Sequence, residues 1–335
     1  MDFKNYLVPG KTGLLIGIGG VSMSPLAEVL HDAGLDIRGS DMAESSNTLT
    51  LRERGIPIHI GHSADNVTDD ISFVIRTAAV HDDNPEVHEA HRRGIPVFER
   101  TQAWGALMRG YQNALCISGT HGKTTTTSMC THIMMAAEKD PTVMIGGTLP
   151  LLKACHRVGK GNTIIMESCE YYNSFLALNP TIAVVLNIEA DHLDFFKDLE
   201  DIKHSFRCFA ERVPAETGTV IANYDDANTM DALRGIARKV ITFGLNAKAD
   251  VYAQNIVHRG SVSEFDIYHR GNYFARVTLH VPGIHNVRNA LAATAAAIVL
   301  GVSPNAVKYG LAGFEGAGRR FDFKGKFQGA DLYDD

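Results

Sequence analysis

The chain has 335 residues, 45% of them hydrophobic and 21% charged, and its formal net charge is −6. This length exceeds one ordinary core and predicts two or three domains. The acidic balance, with no run rich in lysine and arginine, argues against a nucleic-acid-binding protein. No apolar stretch approaches the ~20 residues of a membrane span, no signal-peptide pattern is present, and the five scattered cysteines are typical of reduced thiols. We therefore expect a cytoplasmic protein with no membrane partner. The sequence does not indicate its oligomeric state.

Strands and helices alternate over the first part of the chain. Apolar runs predict strands at 13–18, 36–41, 72–75 and 95–98, and a helix at 24–33. Such alternation is typical of a doubly wound parallel sheet. We therefore predict an α/β fold that begins with a Rossmann-like domain over residues 1–110.

A glycine-rich turn joins the first strand to the first helix. Gly17, Gly19 and Gly20 lie in this turn, and Asp41 ends the second strand. The dinucleotide fingerprint G-x-G-x-x-G is incomplete, because its third glycine position holds Ser22. The pattern favours a nucleotide diphosphate at the helix N-terminus, and it leaves open a tight strand–helix turn without a ligand.

The alternation restarts near residue 111, with a strand at 114–117 and a second glycine loop. In this loop Gly119 and Gly122 allow backbone N–H groups to approach anionic oxygens. Lys123 can reach the outer phosphates of a nucleoside triphosphate, and the hydroxyl of Thr124 can bind Mg²⁺. The loop therefore predicts an ATP site, although a turn that merely caps the following helix has the same outline.

The second domain is predicted to cover residues 111–315. Buried strands are expected at 163–167 and 181–187, an antiparallel hairpin at 262–267 and 273–281, and a long helix at 286–300. These elements predict a P-loop-type central ATPase domain with a small antiparallel hairpin region. Residues 316–335 are predicted to be a linker and the start of a C-terminal domain, most of which we expect this chain to lack.

Two strand ends of the second domain carry possible metal ligands. Glu167 ends a buried strand, where a carboxylate can hold Mg²⁺ opposite a phosphate loop. Glu170 is either an alternative carboxylate ligand or a solvated charge at the start of a helix. His192 follows the next strand, and since Mg²⁺ prefers oxygen, a solvent-facing loop histidine is the simpler interpretation of this residue.

Four motifs together resemble the Mur ligases. They are GTHGKTTT at 119–126, NIEADHLD at 187–194, HNVRNA at 285–290 and GRRF at 318–321. The segments at 17–24, 39–41 and 61–62 look more narrowly like the members that join L-alanine to UDP-N-acetylmuramate. The resemblance covers the whole chain in the right order.

The resemblance implies site residues of four kinds. The UDP-sugar would bind to Gly17, Gly19, Gly20, Ser22, Asp41 and His62. ATP would bind to Gly119, Thr120, Gly122, Lys123, Thr124, Thr125, His285, Asn286 and Asn289. The catalytic residues would be Lys123, His121 and Arg320, and the metal ligands Thr124, Glu167 and His192, which reverses the simpler interpretation of His192.

The resemblance also implies an activity, which is ATP-dependent carbon–nitrogen ligation in peptidoglycan precursor synthesis with Mg²⁺. The partners would be UDP-N-acetylmuramate and L-alanine, joined through an acyl phosphate. We expect this chain to bind the nucleotides without completing the ligation. Three other functions stay open: a recycling ligase that attaches a tripeptide to UDP-N-acetylmuramate, a non-catalytic UDP-sugar-binding module, and a nicotinamide-dependent oxidoreductase.

Overall fold

The computed structural model describes residues 2–77, 79–318 and 322–334. The chain divides into two compact units, Met1–Gly110 (unit 1) and Tyr111–Asp335 (unit 2). Of the helices that the structure describes, none is long and apolar enough to cross a membrane.

Unit 1 is built on a parallel sheet. Its strands are β1 (Thr12–Ile16), β2 (Asp36–Asp41), β3 (Ile58–Ile60), β4 (Ile71–Arg76) and β5 (Val97–Glu99). Its helices are α1 (Ser24–Asp32), α2 (Ser46–Glu53), α3 (Pro85–Arg92) and α4 (Arg100–Met108). The order β3-β2-β1-β4-β5 puts β1 at the centre, where all five of its residues are buried, as expected for an apolar strand with parallel neighbours on both sides. The predicted Rossmann-like parallel sheet is confirmed.

Unit 2 contains a second, larger sheet. Its strands are β6 (Asn113–Ser118), β7 (Thr142–Leu149), β8 (Ala154–Arg157), β9 (Thr163–Glu167), β10 (Ile182–Val185), β11 (Thr219–Asn223), β12 (Lys239–Gly244), β13 (Val251–Arg259), β14 (Val262–His269) and β15 (Asn272–Leu279). The order is β15-β14-β13-β12-β11-β10-β6-β9-β7-β8. Pairing is parallel from β7 to β13 and antiparallel at both edges. The β6 strand is therefore flanked by β9 and β10, and the carboxyl ends of all three meet at one edge of the sheet.

The helices of unit 2 pack on this sheet. They are α5 (Lys123–Ala136), α6 (Leu199–Glu211), α7 (Ala227–Ala232), α8 (Ile284–Val299) and α9 (Pro304–Ala312). Helix α5 contacts both α8 and α9, and the buried face of α8 is mainly alanine, whose small side chain allows two helices to approach closely. The beginning of α5 and the beginning of α8 can therefore contribute to one site.

Two parts of the prediction for unit 2 are incomplete. The expected hairpin is present as β14 and β15, but β13 adds a third antiparallel strand to it. Beyond residue 315 the sequence predicts only a linker and the start of one strand. The structure instead has a two-stranded antiparallel hairpin, β16 (Asp322–Phe327) and β17 (Ala330–Asp334).

Candidate nucleotide-binding sites

The loop between β6 and α5 has the backbone shape of an anion site. Gly119 has a φ of 144° and Gly122 a φ of 86°, conformations that residues with a side chain rarely adopt. A Cβ on Gly119 would lie 2.8 Å from the Cβ of Leu186, and a Cβ on Gly122 would lie 2.7 Å from Oδ1 of Asn289. No side chain caps the N-terminus of α5, so an anion would not have to displace one from the N–H groups of the first turn.

The segment that follows β10 holds this loop in place. The Thr120 N–H donates to the Asn187 carbonyl at 3.1 Å. The His121 N–H donates to Oδ1 of Asn187 at 2.8 Å, and Nδ2 of Asn187 donates back to the His121 carbonyl at 3.0 Å. The Glu189 N–H donates to Oγ1 of Thr120 at 2.9 Å. Sequence reasoning placed Asn187 in a motif but gave it no role, because a contact with a loop 66 residues away leaves no local pattern.

Lys123 forms a buried ion pair with Glu170. Its Nζ lies 3.1 and 3.0 Å from the two carboxylate oxygens, and it also donates to the carbonyls of Gly119 at 2.6 Å and Thr120 at 3.1 Å. Glu170 is only 2% exposed, so its interpretation as a solvated charge is wrong. Burial of Glu170 is tolerated because the Lys123 ammonium compensates its charge.

Thr124 and Glu167 form an oxygen-rich corner next to this pair. Oγ1 of Thr124 donates to Oε1 of Glu167 at 3.1 Å, and the Gly146 N–H donates to Oε2 at 2.7 Å. A hydroxyl and a carboxylate are the ligands that Mg²⁺ takes when phosphates and waters complete its shell. These two residues therefore fit a Mg²⁺ ion that is shared with a phosphate.

His192 lies beside Glu170. Its Nε2 is 4.0 Å from Oε1 of Glu170, its ring stacks on Tyr171 at a centroid distance of 4.3 Å, and its φ is 52°. Tyr171 donates its hydroxyl hydrogen to Asp194, and this hydrogen bond raises the pKa of Tyr171. Within residues 2–77, 79–318 and 322–334, no three His, Cys, Asp or Glu side chains are grouped to hold a metal ion. The contacts of His192 thus place it beside Glu170, Asp191 and Tyr171.

A cleft of about 740 Å³ connects the glycine loop with the beginning of α8. The predicted residues on its wall are Thr120, His121, Gly122, Lys123, Thr124, Thr125, Glu167, His285, Asn286 and Asn289. Nδ2 of Asn289 donates to Oδ1 of Asn286 at 3.2 Å, and Nδ2 of Asn286 donates to the Pro282 carbonyl at 2.7 Å. The wall also includes Ser261, His280 and Glu315, for which the sequence offered no signal. Arg320 lies outside the described residues.

The glycine turn of unit 1 is closed mainly by its own backbone and by Asp41. Gly17, whose φ is 77°, accepts from the Gly20 N–H at 3.1 Å. The Gly19 N–H donates to Oδ2 of Asp41 at 2.8 Å, and the Ser22 carbonyl accepts from the Trp104 indole at 3.3 Å. Asp41 thus fixes the turn directly, so one of its carboxylate oxygens is already hydrogen-bonded to protein.

His62 belongs to a buried polar network at the same end of the unit 1 sheet. Its Nδ1 lies 2.8 Å from Oε2 of Glu86, a side chain with no exposure to solvent. Glu86 also accepts from Oγ of Ser40 at 2.7 Å and from Nδ2 of Asn66 at 2.6 Å. Sequence reasoning found His62 only through the resemblance and did not find Glu86.

Both units match known families. The model of the Mur ligase middle domain matches residues 117–297, and that of the Mur ligase family catalytic domain matches residues 15–112. The chain belongs to the Mur ligase family. The expected resemblance is confirmed.

Named relatives of this Mur ligase are UDP-N-acetylmuramate–L-alanine ligases. The enzyme of Agathobacter rectalis is 46% identical over 96% of this chain and 70% of its own length, and that of Clostridium novyi is 44% identical over 100% and 72%. The structure of the Thermotoga maritima UDP-N-acetylmuramate–alanine ligase superposes with a TM-score of 0.80 at 30% identity, over 97% of this chain and 74% of that one. A Neisseria meningitides ligase named for UDP-N-acetylmuramate and L-alanyl-γ-D-glutamyl-meso-diaminopimelate has a TM-score of 0.82 at 26% identity, over 92% and 100%.

Proposed function

We propose that this Mur ligase binds ATP in the cleft of unit 2 and takes part in the reaction that joins L-alanine to the carboxylate of UDP-N-acetylmuramate. The observation that carries the ATP half of the proposal is the glycine loop with Lys123, which shares one cleft with Asn286 and Asn289. The relatives at 44–46% identity, all named for the L-alanine reaction, support the choice of substrates. The five scattered cysteines support a reducing compartment, the cytoplasm, for this reaction.

The proposed chemistry activates a poor electrophile. A muramate carboxylate oxygen attacks the γ-phosphorus of ATP, the bond to the β-phosphate oxygen breaks, and ADP leaves. The product is an acyl phosphate, in which phosphate is a good leaving group. The amine of L-alanine then attacks the acyl carbon, inorganic phosphate departs with the bonding electrons, and loss of the amine proton leaves an amide.

The residues of unit 2 would contribute mainly position and charge. The N–H groups at the start of α5 and the Lys123 ammonium would neutralise the phosphates, as in other phosphate loops. Thr124 and Glu167 would hold Mg²⁺, which, when bound, supplies further positive charge to the phosphate oxygens. For His121, whose side chain is 65% exposed, we propose a position close to the reacting carboxylate or the γ-phosphate. Arg320 is proposed as a further positive charge on the phosphates.

Lys123 has to exchange partners before it can serve a phosphate. In the structure its Nζ is surrounded by the Glu170 carboxylate and two carbonyl oxygens. We propose that phosphate oxygens replace Glu170 as the partner of Nζ. Glu170 would then turn towards His192, which is already 4.0 Å away, so these two residues would form an auxiliary pair beside the Mg²⁺ corner.

Nucleotide binding tests the ATP half of the proposal. Calorimetric titration of Mg-ADP should give a defined affinity that Lys123→Ala reduces about 10- to 100-fold, since one charge-assisted hydrogen bond contributes roughly 1.5–3 kcal/mol. Lys308→Ala, which removes an exposed lysine from α9, is the matched control and should leave the affinity unchanged. Equal affinities for the wild type and the Lys123 variant would refute the assignment.

Trapping with hydroxylamine tests the intermediate. Hydroxylamine converts an acyl phosphate to a stable hydroxamate, so ADP formed in the presence of UDP-N-acetylmuramate should be accompanied by the muramoyl hydroxamate in equal amount. ADP formation that depends on UDP-N-acetylmuramate but yields no hydroxamate would contradict an acyl phosphate.

One other function has a specific observation in its favour. The tripeptide ligase of Neisseria meningitides is as similar in fold, with a TM-score of 0.82, as the alanine ligase of Thermotoga maritima, with 0.80. The sequence identity is 30% to the alanine ligase and 26% to the tripeptide ligase, which favours L-alanine as the substrate. If the tripeptide, but not L-alanine, releases phosphate from the activated muramate, the tripeptide ligase becomes the favoured function.

A further inference from the structure

Glu86 is a fully buried carboxylate that the proposed reaction does not use. Its side chain has no exposure; it accepts hydrogen bonds from Ser40 and Asn66 at 2.7 and 2.6 Å, and its Oε2 lies 2.8 Å from Nδ1 of His62. A buried charge is costly unless it is compensated in this way. Its presence on α3 therefore calls for a role beyond packing.

The N-terminus of α3 stabilises this charge. Asn84 caps the helix by accepting from the Glu86 N–H at 2.9 Å and the Val87 N–H at 3.3 Å, and Pro85 occupies the first turn. Glu86 lies in the same turn, where the helix dipole favours a negative side chain. Glu86 is thus held as an acceptor by the helix as well as by its two donors, Ser40 and Asn66.

An ionised Glu86 determines the tautomer of His62. A carboxylate can only accept hydrogen bonds, so Nδ1 of His62 has to carry the proton that lies between them. In a neutral ring, Nε2 then has the free lone pair. Within the part of the chain that the structure describes, Nε2 of His62 has no hydrogen-bond partner, and 12% of the side chain remains exposed.

The position of His62 points to a nucleotide sugar. The Gly61 N–H donates to the Asp41 carbonyl at 2.8 Å, so His62, which follows β3 in the chain, lies beside the carboxyl end of β2. The Ser40 carbonyl accepts from the N–H groups of Gly17 and Ile18 at 2.8 and 3.0 Å, which ties the same network to the glycine turn. In sheets of this topology the ribose of a bound nucleotide lies at the end of the second strand.

We propose that Glu86 is a positioning residue for nucleotide binding in unit 1. It holds His62 with Nδ1 protonated, so that Nε2 accepts a hydrogen bond from a ribose hydroxyl of the uridine nucleotide. The ligand in this inference rests on the proposed function, whereas the tautomer does not. Glu86 itself lies behind His62 and acts on the ligand only through it.

Nitrogen NMR of the histidine rings tests the tautomer in the whole chain without any ligand. At mildly alkaline pH the His62 ring, assigned with His62→Gln, should show a protonated Nδ1 and an unprotonated Nε2. Glu86→Gln should shift the ring towards the Nε2–H form, because the new amide can donate to Nδ1. Glu89→Gln, on the same helix but paired with Arg92 and Arg93, is the matched control and should leave His62 unchanged.

A protonated Nε2 in the neutral wild-type ring would overturn the proposal, and so would a Glu86→Gln spectrum identical to that of the wild type. If the variant does not fold, the wild-type spectrum alone still decides between the two tautomers.

Deoxy analogues test the contact with the ligand. One of the two analogues, 2′-deoxy-UDP or 3′-deoxy-UDP, lacks the hydroxyl that contacts His62. Wild-type protein should bind UDP about fivefold more tightly than this analogue, which is the effect of one neutral hydrogen bond. In Glu86→Gln and in His62→Gln this preference should fall towards one. Persistence of the full preference in both variants would overturn the role of Glu86 alone, whereas failure of the wild type to bind UDP would overturn the proposed UDP-sugar site as well.

Discussion

Replacement of Gly119 by alanine is expected to destabilise unit 2 and to weaken nucleotide binding. The new Cβ would lie 2.8 Å from the Cβ of Leu186, 3.2 Å from the Asn187 nitrogen and 3.3 Å from the Leu186 nitrogen. Two of these three atoms belong to the backbone next to β10, which cannot rotate away. Either the glycine loop or this segment therefore has to move.

The magnitude follows from two contributions. A φ of 144° lies outside the ordinary regions of alanine and costs about 1–3 kcal/mol. Forcing a methyl group into a packed site costs about 1–3 kcal/mol more. We therefore expect Gly119→Ala to lower the free energy of unfolding by about 4 kcal/mol, and to weaken Mg-ADP binding because the loop no longer fits its phosphates.

Gly235→Ala is the matched control. Gly235 has a φ of 67°, but a Cβ there would meet nothing within 4 Å. It should therefore cost only the left-handed conformation, about 1 kcal/mol, and leave nucleotide binding intact. Urea unfolding followed by far-UV circular dichroism is the assay. Tryptophan fluorescence would not follow unit 2, because Trp104, the single tryptophan, lies in unit 1. Equal losses of stability in the two variants, or Mg-ADP binding preserved in Gly119→Ala, would refute the packing argument.

Three further predictions concern single side chains of unit 2. Burial lowers the pKa of His132 from 6.5 to about 4, so as the pH falls this histidine is protonated in the unfolded chain before it is protonated in the folded one. The free energy of unfolding should therefore drop by about 3 kcal/mol between pH 6.5 and 4. Urea titrations across this range should show that His132→Leu removes most of that drop, and an unchanged pH dependence would contradict it. Asn187→Asp keeps the acceptor for the His121 N–H but loses the donor to its carbonyl and adds a negative charge; calorimetry should show roughly tenfold weaker Mg-ADP binding, and wild-type affinity would count against the role of Asn187. Glu170→Gln removes the group that competes with phosphate for Lys123, so ADP should bind about tenfold more tightly in metal-free buffer, and weaker binding there would show that Glu170 supports the phosphate site rather than competes for it.

The sequence predicted those elements whose signals are local. The apolar runs at 163–167 and 181–187 contain the buried strands β9 and β10, because strands with parallel neighbours and covered faces need apolar residues throughout. The glycine loop before α5 was equally clear, since only glycine tolerates its backbone angles. The parallel sheet of unit 1 and the junction between β6 and α5 could also be predicted, because their signals are local as well.

The contacts between distant segments could not be predicted in this way. Whether Glu170 is solvated or buried depends on Lys123, which is 47 residues away, and the role of Glu86 depends on Ser40 and His62. Tyr172 has a positive φ angle, a conformation that tyrosine rarely adopts and that no local pattern indicates. The third antiparallel strand, β13, was missed because its second half is largely exposed and polar.

The central claim is that this Mur ligase acts on UDP-N-acetylmuramate. The most direct test is calorimetric titration of the whole chain with UDP-N-acetylmuramate, with UDP-N-acetylglucosamine, which lacks the lactyl carboxylate, as the matched control. We predict that the muramate binds more tightly and that its advantage depends on the lactyl group. Equal binding of the two sugars would reduce unit 1 to a general UDP-sugar module, and binding of neither would contradict the proposed function.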